Sequence, residues 1–311
     1  MWITHEEIER AREIDLLSYL ETYEPEQLKK VSNDTYTTVE HDSMRISNGL
    51  WHWTSRRIGG KSALDFLILV RGMSLPEAAS LLIGNIKEKT PVTHPKNIAK
   101  PKDFILPKRN EGNDIVRAYL QRRGIDNKII DYCINTKRLY EDKAFHNAVF
   151  VGFDENKEPK FASVRSTFTD YRIDVAGSDK RFSFFIPGNT NTDTVHLFEA
   201  VIDLLSYATL NLIQHKEWRS EDMLSLGGVY VLQENSELPL PLKQYLNTHP
   251  VKNIVLHFDN DEIGIAAAES LKMKLESHFN VTVDTPTVGK DVNDFLIYTL
   301  EKNKRKEVQF R

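Results

Sequence analysis

Strand-like and helix-like segments alternate along the last third of the chain, and this alternation restricts the fold more than any other feature. The four strand-like segments read "TVHLFEA", "LSLGGVYVL", "KNIVLHFD" and "VTVDTP". The helical segments that follow them read "VIDLLSYATLNLIQ", "LPLKQYLNTH", "EIGIAAAESLKMKLESHF" and "VNDFLIYTLEKNK". Segments of these lengths in this order favour parallel βαβ units. We therefore expect residues 191–311 to form an α/β domain, a doubly wound parallel sheet flanked by helices.

Carboxylates occur where the strands of this predicted sheet end, which is where such sheets bind ligands. Glu199 follows the first strand, and "LHFDNDEIG" places Asp259 and Asp261 directly after the third. Carboxylate oxygens suit Mg²⁺, which keeps several waters and usually bridges to substrate phosphates. A carboxylate that holds no metal is free for proton transfer. We therefore predict that Asp259 and Asp261 bind Mg²⁺ or Mn²⁺ and that Glu199 is catalytic.

The segment "GKDVNDFL" adds Asp291 and Asp294 at the next junction between a strand and a helix. Both are further candidate metal ligands. Their spacing is also that of a helix N-cap and the third helical residue, positions where carboxylates stabilise the start of a helix. Metal binding and capping therefore both stay open for this pair. Asp203, Lys290 and Asn293 lie close to these carboxylates in sequence, and we expect them to support the site.

Three of these segments resemble the signatures of the Toprim domain in their order and spacing. They are "FEAVIDLLS", "HFDNDEIGIAAAESL" and "GKDVNDFL", within residues 192–302. The Toprim domain is shared by bacterial primases, topoisomerases, nucleases of the overcoming-lysogenisation-defect class and recombination proteins. The resemblance implies a Rossmann-like parallel sheet, Glu199 as general acid or base, and Asp259 and Asp261 as Mg²⁺ ligands. It does not choose among the reactions of the family.

Residues 1–84 are expected to form a small α+β module. Thr4 and Glu7 are spaced as a capping box that opens a helix, and strand-like pieces and two more helices follow. The landmarks "IDLLSYL", "EHDSMRIS" and "LWHWTSRRIGGKSALDFLILVRG" resemble the zinc-binding domain at the front of bacterial DNA primases. Cys133 is the only cysteine, which excludes a cysteine-based zinc site. We therefore expect no zinc, with Trp51 and Trp53 supplying packing in its place.

Positive charges and tryptophans are interleaved between residues 43 and 64. The members of this predicted nucleic-acid face are Arg45, Trp51, Trp53, Arg56, Arg57 and Lys61. Cations that contact phosphates beside aromatic faces that stack on bases are typical of single-strand binding. The alternative is that both tryptophans lie in the core and the arginines form a solvated rim.

A segment rich in proline and lysine, residues 85–110, is expected to be a linker. Residues 111–190 are expected to be a middle α+β domain with two helices, the hairpin "NAVFVGFDENKEPKFASVRS" and a last strand "KRFSFFIP". This region resembles an uncharacterised domain that precedes Toprim in proteins of plasmids and integrated conjugative elements. The corresponding region of primases is a basic platform that grips the template. By that resemblance, Arg165, Lys180 and Arg181 are candidate DNA contacts.

The net charge of −4 means that any affinity for nucleic acid comes from local patches. The sequence has no signal-peptide core and no apolar run long enough to span a membrane, so a cytoplasmic protein without a membrane partner is expected.

Together the three regions predict a primase-like protein of a mobile element, acting in replication or conjugative transfer. Its expected reaction is Mg²⁺-dependent nucleotidyl transfer on a single-stranded DNA template with nucleoside triphosphates, and its expected protein partner is a helicase or a relaxase. Two alternatives stay open: a metal-dependent Toprim nuclease, and a non-catalytic DNA-binding adaptor. A topoisomerase needs a tyrosine nucleophile and a gate domain, and no gate domain is recognisable in the sequence.

Overall fold

The computed structural model describes residues 3–32, 34–56, 58–88, 91, 103–229, 231–232 and 236–309. The chain divides into two compact units, residues 1–100 and residues 101–311. In the part of the chain so described, no helix combines the length and the apolar composition that a membrane span requires.

In its described residues, the N-terminal unit contains a meander of five antiparallel strands with four α-helices. Its strands are β1 (Leu28–Ser32), β2 (Thr35–Thr38), β3 (Met44–Ser47), β4 (Leu50–Trp53) and β5 (Ile58–Gly60), paired in that order. Its helices are α1 (His5–Arg12), α2 (Leu16–Tyr23), α3 (Ala63–Leu69) and α4 (Leu75–Glu88). The predicted capping box of Thr4 and Glu7 is confirmed. Helix α4 extends into the first residues of the segment expected to be a linker, of which residues 89, 90 and 92–102 lie outside the described residues.

Trp51 and Trp53 lie in the core of this unit, with only 2% and 8% of their surface exposed. The indole N–H of Trp51 donates to the Ser62 carbonyl oxygen at 3.0 Å, and that of Trp53 donates to Ser43 Oγ at 3.1 Å. Each ring therefore buries a large apolar area while its polar atom stays bonded. The prediction that the two tryptophans supply packing is confirmed.

The second unit begins with two helices and an antiparallel sheet. The helices are α5 (Asp114–Arg122) and α6 (Asn127–Asn135), and the strands, paired in chain order, are β6 (Leu139–Glu141), β7 (Ala148–Phe153), β8 (Pro159–Arg165) and β9 (Arg172–Asp174). The predicted hairpin is β7 and β8 and is confirmed. The predicted strand "KRFSFFIP" is wrong in its first half. Lys180–Phe182 form a 3₁₀ turn capped by Asp179, and only Phe185–Ile186 (β10) are extended.

A mainly parallel sheet completes the unit. Its strands are β10, β11 (Thr194–Phe198), β12 (Asp222–Ser225), β13 (Asn253–His257) and β14 (Asn280–Val283), in the spatial order β10-β12-β11-β13-β14. The helices are α7 (Val201–Ile213), α8 (Leu240–Thr248), α9 (Glu262–Leu275) and α10 (Val292–Gln309). Every pair is parallel except β10 with β12, so the predicted α/β fold is confirmed.

The second predicted strand, "LSLGGVYVL", overlaps β12 only at Leu224 and Ser225. Gly227 and Gly228 have φ values of 70° and 114°, a backbone conformation that ends an extended strand. The strand therefore lies earlier in sequence than the apolar run suggested.

One buried cluster joins the antiparallel sheet, α5 and α6 to the parallel sheet. Leu120 from α5 and Ile129 from α6 pack with Leu204 from α7 and Leu296 from α10 in this cluster. The elements of residues 111–190 and 191–311 therefore share a single core.

Candidate active site

The predicted acidic residues meet at the carboxyl edge of the parallel sheet. Phe198 of β11 is paired with His257 of β13, so Glu199 and the loop after β13 leave the sheet side by side. Glu199 Oε1 accepts a hydrogen bond from the backbone N–H of Asp259 at 3.0 Å. The predicted convergence of these carboxylates on one rim is therefore present in the fold, and the first-strand glutamate is tied directly to the DxD loop.

Lys290 joins the two aspartates of this loop. Its Nζ lies 3.1 Å from Asp259 Oδ2 and 3.2 Å from Asp261 Oδ2. The loop after β14 is held against the loop after β13 because the Asn260 backbone N–H donates to the Lys290 carbonyl oxygen at 2.6 Å. The position between the two carboxylates therefore attracts a cation, and Lys290 supplies one from the chain itself.

The three carboxyl groups have different proton affinities. Burial raises the pKa of Glu199, the negative charges of Asp259 and Asp261 raise it further, and the Asp259 amide opposes this. Burial also raises the pKa of Asp259, against the effect of Lys290. The Gly264 amide, together with Lys290, lowers the pKa of Asp261. Asp261 therefore stays ionised at lower pH than an ordinary aspartate, whereas Glu199 is a better proton acceptor than an ordinary glutamate.

Gly264 lets helix α9 begin directly against the DxD loop, a role that we did not predict. A Cβ at this position would lie 2.2 Å from the Asp259 carbonyl oxygen. The Gly264 backbone N–H donates to Asp261 Oδ1 at 2.9 Å, so Asp261 is the N-cap of α9. One feature of the sequence indicates this role, a glycine three residues after an acidic helix start.

Asp291 and Asp294 cap helix α10. The Asp294 backbone N–H donates to Asp291 Oδ1 at 2.7 Å, and the Lys290 backbone N–H donates to Asp294 Oδ2 at 3.0 Å. The capping alternative for this pair is therefore realised. A metal contact by either residue stays a prediction.

Asp203 and Asn293 lie in the first turns of α7 and α10, the helices that begin after Glu199 and Lys290. Asp203 is buried in the first turn of α7, and burial raises its pKa to about 8, with Asp291 and Asp259 adding to the effect. Asn293 Nδ2 donates to the Arg123 carbonyl oxygen at 2.8 Å and to Ser206 Oγ at 2.9 Å. Asn293 therefore fixes the start of α10 to α5 and α7.

A family model described as Toprim-like matches residues 196–296, which include Glu199 and all four predicted aspartate ligands. The chain carries a Toprim-like domain. A second model, described as a protein of unknown function (DUF3991), matches residues 118–189, which lie in the middle region.

Three solved primase structures align with the chain. The primase fragment of the bacteriophage T7 primase-helicase protein is 15% identical, with a TM-score of 0.46 over 88% of this chain and 95% of that chain. The E. coli primase catalytic core is 12% identical, with a TM-score of 0.38 over 60% and 69% of the two chains. A DnaG primase catalytic domain bound to ssDNA is 11% identical, with a TM-score of 0.39 over 63% and 71%. No curated protein matches the chain.

A cavity of about 470 Å³ lies beside Glu199, between the Toprim-like domain and strands β8 and β9. Arg165 and Arg172 line it and are directly opposite each other in the β8–β9 ladder. Like charges in this position repel unless an anion lies near them. Within the described ranges, neither arginine forms a salt bridge, and both line the cavity together with the carboxyl groups of Glu199 and Asp174. Arg165 was predicted, and Arg172 was missed because it lies in a three-residue strand.

The other two predicted contacts of the middle region are already paired with acids. Lys180 Nζ lies 2.9 Å from Asp174 Oδ2, and Arg181 Nη2 lies 2.6 Å from Asp179 Oδ2. Neither basic residue lines the cavity with Glu199. The fold therefore does not bring Lys180 and Arg181 to the Toprim-like site.

The expected stacking of bases on Trp51 and Trp53 is wrong, because both side chains lie in the N-terminal core. Arg56 lies 4.6 Å above the Trp53 ring, and the Arg45 guanidinium donates to backbone carbonyl oxygens, including that of Met44. These cations, with the exposed Lys61, form the solvated rim of the alternative interpretation. Arg57 lies outside the described residues.

Proposed function

We propose that this protein is a primase-like nucleotidyltransferase that acts on single-stranded DNA with nucleoside triphosphates. The observation that carries the proposal is the meeting of Glu199, Asp259 and Asp261 at one edge of a Toprim-like domain, beside a cavity that holds two arginines. Among the reactions of Toprim domains, nucleotidyl transfer is favoured by the resemblance of residues 1–84 to the front domain of bacterial primases.

The donor set fits Mg²⁺ or Mn²⁺. Across the described residues, no three His, Cys, Asp or Glu side chains form a preformed metal cage. Mg²⁺ does not need one, because it is usually held by one or two carboxylates together with waters and substrate phosphates. Lys290 already places a positive charge between Asp259 and Asp261, which makes this pair the expected ligands. Asp291 and Asp294 are proposed as additional ligands through their second carboxylate oxygens.

A bound Mg²⁺ would neutralise the charge that develops on the phosphates during transfer. The chain itself would handle the proton. A hydroxyl oxygen of the growing strand bonds to the α-phosphorus of the incoming nucleotide, and pyrophosphate leaves. Glu199 Oε1 is held by the Asp259 amide, so Oε2 is the atom that we expect to take the hydroxyl proton. Burial raises the pKa of Glu199, which strengthens it as a base.

Arg165 and Arg172 would bind phosphate oxygens in this reaction. Their paired position on β8 and β9 and their place beside Glu199 support a role in holding the template or the nucleotide. The proposed setting is the cytoplasm, in replication or conjugative transfer of a mobile element with a helicase or relaxase as partner. This setting is supported by the resemblance of the middle region to proteins of plasmids and conjugative elements.

The test is incorporation of labelled nucleotides on single-stranded DNA with Mg²⁺ or Mn²⁺, comparing the natural protein with Glu199→Gln. Glu269→Gln is the matched control, because Glu269 is exposed on helix α9. We expect products with the natural protein and the control, and none with Glu199→Gln. Cutting of the strand without added nucleotides would identify a nuclease instead. Binding with neither products nor cuts would identify an adaptor.

A further inference from the structure

A group of large apolar side chains is exposed at one end of the antiparallel sheet. Phe145 is 72% exposed, Phe168 71%, Tyr171 55% and Ile173 51%. We propose that these side chains form a base-stacking surface that guides single-stranded DNA into the cavity beside Glu199. The inference rests on the proposed function, since it names the path by which the template reaches that same site.

The aromatic side chains line one groove of about 840 Å³ and are carried on ordered loops. In the loop between β8 and β9, the Ser166 backbone N–H donates to the Tyr171 carbonyl oxygen at 2.9 Å. Thr167 Oγ1 donates to the His146 carbonyl oxygen at 3.0 Å, which ties this loop to the one that carries Phe145. These bonds fix the backbone that carries the rings, so stacking costs less conformational freedom than it would on a loose loop.

The charge around the groove suits a polyanion. Lys108 and Lys143 line it, are exposed, and form no salt bridge in the portion of the chain that the structure describes. The one carboxylate in the lining, Asp142, is buried and accepts hydrogen bonds from backbone N–H groups of its own loop. It accepts from Ala144 and Phe145 at 2.9 and 2.8 Å. Asp170 is the only acidic residue at the tip of the β8–β9 loop.

The groove and the cavity beside Glu199 adjoin along the β8–β9 pair. Val164 and Ile173, partners in the β8–β9 ladder, line both of them. The neighbouring partners in the same ladder, Arg165 and Arg172, line the cavity with Glu199. Successive side chains of a strand point to opposite faces, and β9 is an edge strand of only three residues. A single DNA strand stacked on the aromatic rings therefore needs only to cross the β9 edge to bring its phosphates to Arg165 and Arg172.

Single-stranded DNA satisfies both features at once, because its bases have free faces for the rings and its phosphates suit the lysines. In a duplex the base faces are already stacked on each other. An apolar protein segment would cover the rings but would leave Lys108, Lys143 and Arg172 without partners. The observations therefore favour a single strand over either alternative.

The experiment measures binding of a short fluorescent DNA strand of mixed sequence by anisotropy, using the full chain. A Phe168→Ala, Tyr171→Ala double variant should weaken binding about thirtyfold or more, because two rings that each stack on a base are lost. Tyr298→Ala, a tyrosine that is 43% exposed on α10, is the matched control and should bind like the natural protein. Lys143→Ala should reduce the slope of log affinity against log salt by roughly 0.7.

A strand carrying 5-iodouracil should photo-crosslink to Phe168 or Tyr171, which a purely structural role of these residues would not produce. Unchanged binding by the double variant, with crosslinks only elsewhere, would overturn the proposal and is the result expected if the groove takes a protein segment. The proposed function is tested separately. If only the proposed function fails, neither the natural protein nor any variant incorporates nucleotides, but the double variant still binds DNA more weakly than the natural protein. If only the groove proposal fails, the double variant binds and extends normally.

Discussion

Replacing Lys290 by methionine should tighten the binding of divalent metal. The Lys290 ammonium lies 3.1 and 3.2 Å from the two aspartates that we propose as metal ligands, so a metal bound by both carboxylates would displace it. Lys290 is 58% exposed, and solvent therefore screens both pairs. Exposed ion pairs are worth about 0.2–1 kcal/mol each. Two such pairs amount to about 1 kcal/mol, which corresponds to a decrease of about fivefold in the dissociation constant.

The assay is titration of the metal-free protein with Mn²⁺, followed by electron paramagnetic resonance of the free ion. Lys290→Arg keeps the charge and should bind like the natural protein. Lys252→Met is the control for loss of a single ion pair, since Lys252 pairs with Asp193 near the amino end of the sheet. A dissociation constant for Lys290→Met that is unchanged or larger would show that the lysine and the metal do not compete for these oxygens.

Three further changes test packing and buried hydrogen bonds within each of the two units. Gly264→Ala should lower the free energy of unfolding by about 1–3 kcal/mol in thermal denaturation, because the new Cβ must push away the Asp259 carbonyl; an unchanged melting temperature would contradict this. Trp51→Ala should cost about 3–5 kcal/mol, and its loss of near-ultraviolet circular dichroism would report the damage to the N-terminal core. Glu141→Gln should cost about 2–3 kcal/mol at neutral pH, since buried Glu141 accepts bonds from the Ile115 and Val116 amides. Burial raises the pKa of Glu141, but its hydrogen bonds lower the pKa more, so the folded-state pKa lies below the unfolded one. The stabilisation by Glu141 is therefore complete above the unfolded-state pKa of about 4.3 and is lost as the pH falls through the folded-state pKa. The difference between the natural protein and Glu141→Gln in denaturant melts should therefore shrink in acid, and a constant difference would refute the assignment.

The acidic edge could be predicted because its position follows from topology alone. Parallel strands end on the same side of a sheet, so Glu199 and Asp259 had to come together once the βαβ pattern was recognised. The bridging by Lys290 could not be predicted in the same way. It depends on one loop approaching another, through the bond from the Asn260 amide to the Lys290 carbonyl, and no periodicity encodes that approach.

The tryptophans show how a local pattern can be misinterpreted. Positive charges beside aromatic residues are found both on nucleic-acid surfaces and at the rims of small cores. Along β4, exposed Leu50 and His52 alternate with buried Trp51 and Trp53, so the two rings share the core face. The aromatic groove of the middle region was missed for a different reason: its rings lie on loops, where sequence patterns give no indication of exposure.

The shared core has a consequence for how such genes can recombine. Asn293 lies within the Toprim-like match and holds Arg123 and Ser206, while the apolar faces of α5 and α6 pack on α7 and α10. A horizontal exchange that imported only residues 196–296 would set these faces against an unmatched surface. Such an exchange should therefore destabilise both sheets unless the residues that face each other across the shared core are exchanged together.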